Sequence, residues 1–171
     1  ATIRSRLQHF ALDRLSLDEA KDFVRSQQLQ LSDKQISLLL NLANNMPLTA
    51  IEIAQSAWVE QRSVFLNDWF ELVSEKNMPL HYVNKWAKNL PFSDLMIMFE
   101  YLLGDIVAFK LNQELKNTDL NFQDLAACYP LEILFEIYSE LQNYKLLISQ
   151  NVQSALVLDQ LFIKLMYVQL S

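Results

Sequence analysis

Leu95-Met96-Ile97-Met98-Phe99-Glu100-Tyr101-Leu102-Leu103-Gly104-Asp105-Ile106-Val107-Ala108-Phe109 is apolar on every side of a helix and holds the single glycine of the 171-residue chain. A helix that is hydrophobic all round sits at the centre of a bundle or is covered by another chain, and the residues alone leave both readings open. Ser93 or Asp94 opens this helix, which is expected to run to about Gln113. Its apolar run carries Glu100 and Asp105 and falls short of the roughly 20 clean residues that a bilayer crossing requires. A chain with one glycine also has no phosphate-cradling loop, because such loops need several residues without a β-carbon where backbone approaches phosphate.

The same helical periodicity extends in both directions. On the amino-terminal side, Ser16 followed by Glu19 reads as a capping box opening a helix to about Gln28. Ser32 caps a second, in which Ile36, Leu39, Leu40 and Ala43 recur at helical spacing before Asn44 and Asn45 end it. Pro47 suits the first turn of a third, ending near Ala57. From Val59 the helices lengthen: Phe65, Trp69, Leu72 and Val73 form one stripe, Tyr82 and Trp86 another, with Pro79 and Pro91 between them. Beyond the central helix, a short helix begins at Asn121, one at Pro130 runs to about Gln150, and the last spans about Gln153 to Gln169. The expected fold is all-α: a small three-helix bundle within residues 1–57, then a bundle of five or six helices over 58–171. No fixed internal period is present, which disfavours a helical solenoid.

Half of the residues, 51%, are hydrophobic, enough to bury a core. Lys and Arg total 14 against 20 Asp and Glu, a net charge of −6 that argues against direct DNA binding through phosphate neutralisation. The one cysteine, Cys128, excludes an internal disulfide and a cysteine-based zinc site and fits a reducing compartment, the cytoplasm by default.

His9 and His81 lie far apart in sequence with no third ligand at useful spacing, so neither a metal site nor a cofactor is expected. Cys128 is a nucleophile only if a basic neighbour lowers its pKa; its apolar flanks favour a structural role. Glu132, Glu136 and Glu140 share one helix face without a nucleophile, which suits a solvated face or one meeting a positive partner. Arg4 and Arg6 point the same way if residues 1–10 are extended, and such planar, permanently charged groups can fork onto phosphate oxygens. Those ten residues alternate like a strand without a partner strand. They read as the closing strand of a preceding domain, the chain then being a carboxy-terminal piece of a longer protein, or as a frayed terminus.

Thr2-Ile3-Arg4-Ser5-Arg6-Leu7-Gln8-His9-Phe10 resembles the Thr-[Ile/Leu]-x-Ser-Arg-Cys-x-x-[Phe/Tyr] segment that ends the ATPase core of clamp-loader subunits of the AAA+ class, as in the bacterial DNA polymerase III loader. Leu102-Leu103-Gly104-Asp105 is similar to the Leu-Leu-x-Asp of that family's long collar helix, and Leu156-Val157-Leu158-Asp159-Gln160-Leu161-Phe162 to its closing pattern. The resemblance implies a three-helix lid following the core strand and a helical collar that packs with the loader's other subunits. It implies that Arg6 acts as an arginine finger, completing the ATP site of a neighbouring motor subunit in the intact protein. The implied partners are the motor subunits (γ/τ) and the δ subunit, with DNA reached only through the assembled loader and no membrane.

Two departures matter. Leu7 stands where the family has cysteine, which touches packing more than the reach of Arg6. Asn45-Met46-Pro47-Leu48-Thr49-Ala50-Ile51 resembles the start of the lid's nucleotide-sensing helix, but with Leu48 at the arginine position. A leucine cannot contact phosphate, so the resemblance points to a non-hydrolysing member. Trp58, Trp69, Trp86 and Tyr101 are then expected as interface anchors of the collar. The alternative is an independent all-helical enzyme or small-ligand binder with a site between bundle helices near Cys128 and His81.

Overall fold

The computed structural model describes residues 15–75, 78–148 and 153–166, and among these the chain is all-helical. The helices are α1 (Leu17–Ser26), α2 (Asp33–Leu42), α3 (Pro47–Gln55), α4 (Trp58–Ser74), α5 (Pro79–Asn89), α6 (Phe92–Lys110), α7 (Gln123–Ala127), α8 (Leu131–Ile148) and α9 (Ser154–Met166). Their order and approximate bounds follow the periodicity of the sequence.

The first helices begin where side chains can take over orphan backbone donors. Ser16 accepts from the Glu19 amide while the Glu19 carboxylate accepts from the Ser16 amide at 2.8 Å and its hydroxyl at 2.7 Å. Ser32 and Gln35 repeat the arrangement at the start of α2. Proline opens α3 and α5 in the first turn, where no amide hydrogen is needed. Between α2 and α3 the chain reverses through Asn44 (φ 52°) and Asn45 (φ 60°), left-handed positions that asparagine tolerates better than most residues.

Two packing sets result. Helices α1, α2 and α3 pack on one another; α4 packs with α5, α6, α7 and α9, α6 with α7 and α8, and α9 with α5 and α8. The apolar helix α6 is central: Leu95, Met96, Met98, Phe99, Leu102, Leu103 and Ile106 are buried, leaving Ile97 and Phe109 as its exposed large residues. Of the two readings open from sequence, the first therefore holds for most of its circumference.

Aromatic rings fill the centre of the second set. Trp69 stacks on Phe99 at 4.6 Å, and Phe65 meets Trp86, Phe99 and Phe162 edge-on at 4.9, 5.6 and 6.1 Å. A polar thread runs through this core. The Trp69 indole N–H donates to the Tyr129 hydroxyl at 2.7 Å, and that hydroxyl donates to the carbonyl of Leu165 at 2.9 Å, tying α4 to α9 through the α7–α8 connection. Burial pushes the Tyr129 phenol far above its ordinary pKa against the opposing pull of the Trp69 bond.

Tyr129→Phe strands a buried indole N–H and removes the bond to the Leu165 carbonyl, and is expected to cost about 1–3 kcal/mol by urea denaturation. Gly104 sits in mid-helix, where an added β-carbon would meet no heavy atom within 4 Å, so Gly104→Ala should stabilise the protein by about 0.5–1 kcal/mol in the same assay.

Candidate functional site

Arg4, Arg6 and His9 lie outside the described residues, and the expected finger with them. Leu48, at the position where the resembled family has its sensing arginine, is described. It occupies the second position of α3, 66% exposed, on the rim of an apolar groove of about 820 Å³ with Leu15, Phe23, Met46 and Pro47. Among the described residues this surface has no charged lining residue that would bind phosphate.

The tryptophans are not where interface anchors would be. Trp58, Trp69 and Trp86 are at most 2% exposed and turn their surface into the chain's own core. Their number reflects a core rather than a docking face; stripe periodicity cannot distinguish the two, since both bury the same residues. Tyr101 alone of the four is partly exposed, stacked on Trp58 at 5.2 Å with the Lys116 ammonium 5.4 Å over its ring.

Cys128 and His81, around which the alternative ligand site is expected, have these neighbours among the described residues. Cys128 caps α7, its thiol donating weakly to the Asp124 carbonyl at 3.4 Å. Burial, with the nearby Asp124 charge, pushes its pKa up, the opposite of what a thiolate nucleophile requires. His81 sets its ring edge-on to Tyr82 at 5.3 Å, and among the described residues no group of His, Cys, Asp and Glu could hold a metal ion. The acidic face of α8 meets a positive partner inside the chain: Lys164 of α9 lies 3.3 Å from Glu136 and 3.1 Å from Glu140. The bond to Glu140 leads in raising the pKa of that lysine, while Tyr144, bonded to Glu140, is pushed up to about 12, chiefly by burial.

The most concentrated polar chemistry lies where sequence motifs give little warning, around the 113–121 connection between α6 and α7. Asp105, 2% exposed on the central apolar helix, accepts from the Lys116 amide at 2.8 Å, the Asn117 amide at 2.7 Å and the Asn117 side-chain amide at 2.7 Å. From α4, the buried Arg62 forks onto Asp119 at 2.9 and 3.1 Å, bonds the fully buried Asn117 side-chain carbonyl, and returns its Nε–H to the Val59 carbonyl at 2.7 Å. Asn41 of α2 adds two bonds, its amide donating to the carbonyls of Leu115 and Lys116, each at 2.9 Å. No buried side-chain polar atom among the described residues lacks a partner, which makes this a fully satisfied anchor. Leu-Leu-x-Asp marks Asp105 in the sequence; nothing marks Arg62, Asn117 or Asn41, whose roles need a loop brought back over the helices.

On the outer side of α6, Glu100 accepts from Lys145 and from Gln142 at 2.9 Å. Burial pushes its pKa up, but the Lys145 and Gln142 bonds more than offset that and hold it below the ordinary glutamate value. A depressed folded pKa contributes stability above the unfolded pKa near 4.5, and that stability fades as pH falls through the folded value. Urea titrations at pH 6 and pH 3.5 should therefore show a smaller acid-induced loss for Glu100→Gln than for the unaltered chain. Equal losses would mean that the carboxylate contributes nothing.

No protein-family model, curated protein or solved structure matches the chain. No helix among the described residues is long and apolar enough to cross a membrane.

Proposed function

We propose that the chain is the lid and collar portion of a clamp-loader subunit of the δ′ type, the non-hydrolysing member of the bacterial DNA polymerase III loader. The observation that carries this reading is the segment Thr2-Ile3-Arg4-Ser5-Arg6 placed before three short helices and then a longer helical bundle. The exposed Leu48 supports it, because a subunit without a phosphate-contacting side chain at the start of α3 suits a non-motor role. The principal pairings, which fall within α1–α3 and within α4–α9, suit a lid and a collar.

In this role the chain acts as an assembly module in the cytoplasm. The collar, residues 58–171, binds the motor subunits (γ/τ) and δ, and DNA is handled by the assembled ring. With the three tryptophans internal, the anchors fall to the exposed apolar residues of the outer helices, among them Phe135 and Tyr138 of α8 and Leu156 of α9. The chain itself carries out no hydrolysis; Arg6 stabilises charge on the transferring phosphoryl group in a neighbour's ATP site.

Two measurements test the proposal. Light-scattering chromatography of the chain mixed with the collar region of the motor subunit should give a complex of defined mass, weakened by Phe135→Glu or Leu156→Glu; no complex at micromolar concentration would remove the assembly role. In the intact subunit, Arg6→Ala should lower DNA-stimulated ATP hydrolysis of the reconstituted loader by roughly 10³-fold at the site it serves, the scale of a lost arginine finger. Unchanged hydrolysis would overturn the finger assignment.

A further inference from the structure

Asn41 stands apart from the rest of the polar anchor because of which helices it joins. Asp105 and Arg62 both belong to the α4–α9 set, and between them they hold the 113–121 connection to α6 and α4. Asn41 belongs to α2, so its two bonds to the Leu115 and Lys116 carbonyls cross from the first packing set to the second. The principal helix pairings do not cross, α1, α2 and α3 pairing among themselves and α4 to α9 among themselves, although the buried apolar side chains of both sets join in one core. Beside Asn41 the two sets stand open. A cleft of about 850 Å³ has Leu17, Lys21 and Asn45 on one side and Thr118 and Asp119 on the other.

The covalent link between the sets is short, an extended Ser56 followed by Ala57 in helical backbone. α3 ends at Gln55, Ser56 adopts extended backbone (φ −81°, ψ 141°), and α4 begins at Trp58. A two-residue connection of this kind can absorb a rotation through a few dihedral angles while the helices on either side stay intact. The loop that Asn41 grips is different: its own position is secured by three bonds to Asp105 and by the Arg62 fork, none of which involves α2.

We propose that Asn41 is a latch that sets the orientation of the α1–α3 set over the α4–α9 set, and that breaking its two bonds lets the first set swing about Ser56–Ala57 and change the width of the cleft. The loop serves as a fixed catch. The two carbonyls are met by the two N–H groups of one side-chain amide, so a residue without two donors cannot close the latch. This device does not rest on the loader reading, since it uses only contacts within the chain.

The test uses the full chain carrying spin labels at Gln27→Cys and Glu132→Cys in a Cys128→Ala background, with distances read by double electron–electron resonance. The parent should give one narrow distance. Asn41→Leu, similar in volume but without donors, should raise the ratio of displaced to latched molecules roughly ten- to a hundredfold, the size expected for two lost hydrogen bonds. Arg25→Met, which removes the exposed bonds of Arg25 to Asp22 and Asp33 inside the first set, should leave the distance as it was. Hydrogen exchange supplies the second readout: in Asn41→Leu the Lys116 and Asn117 amides should keep their protection, because Asp105 holds them. An unchanged distance distribution overturns the latch, and so does loss of protection at those two amides, which would make Asn41 part of the loop's own fold. Should Asn41→Leu fail to fold, Asn41→Ser carries the same two readouts with the same deciding outcomes.

Discussion

A carboxylate in the middle of the most apolar helix of a protein is a liability unless its lone pairs are met, and here Asp105 converts that liability into the anchor on which the arrangement of the second half depends. Three N–H groups from Lys116 and Asn117 converge on it from a connection that would otherwise run free over the surface. Removing a carboxylate from water costs several kcal/mol, and that cost is offset only when the bonds are complete. The completeness requirement acts as a geometric constraint: the loop can sit in the one place where both carboxylate oxygens are served. Arg62 then closes on the loop from α4, and its own burial is compensated by Asp119, Asn117 and the Val59 carbonyl.

The aromatic core and this polar anchor divide the work. Packing of Phe65, Trp69, Trp86, Phe99 and Phe162 supplies the bulk of the favourable burial but is tolerant of small rearrangement. Hydrogen-bonded threads are directional, and they fix which helix meets which. The chain from Trp69 through Tyr129 to the Leu165 carbonyl does this for α4 and α9. Asp105 and Arg62 do it for α6, α4 and the loop, and Asn41 extends the same logic to the first three helices.

The electrostatics of the surface follow one pattern. Several carboxylates are engaged by cations of the same chain, Glu136 and Glu140 by Lys164 and Glu100 by Lys145, while the buried Asp68 is held by Lys85 and the Trp86 indole. Burial pushes the pKa of the lone thiol up. Large apolar side chains stay exposed beside them, at Leu15, Met46 and Leu48 on the first set and at Phe135 and Leu156 on the second. Exposed apolar side chains of this kind are what the proposed assembly role requires.

Helix order, helix type and most boundaries are legible in the sequence, because they rest on local physics. Ser16 with Glu19, Ser32, Pro47 and Pro79 act within a turn of their own position, and a period of 3.6 in apolar residues needs no distant partner. The position of Leu48 at the start of α3 is legible for the same reason. Which aromatic residues face a partner is not: Trp58, Trp69 and Trp86 have the character of anchors and are core, since a stripe carries no label for what it packs against. The polar anchor is equally hidden. Asn41, Arg62, Asp105 and Asn117 are widely separated along the chain and come together only when α2, α4 and α6 meet beneath one loop. An all-helical chain, with the starts and stops of its helices, thus follows from residues acting on their near neighbours. Which polar groups pair across the molecule was settled only on folding, because long-range hydrogen bonds depend on a convergence in space that has no period in the chain.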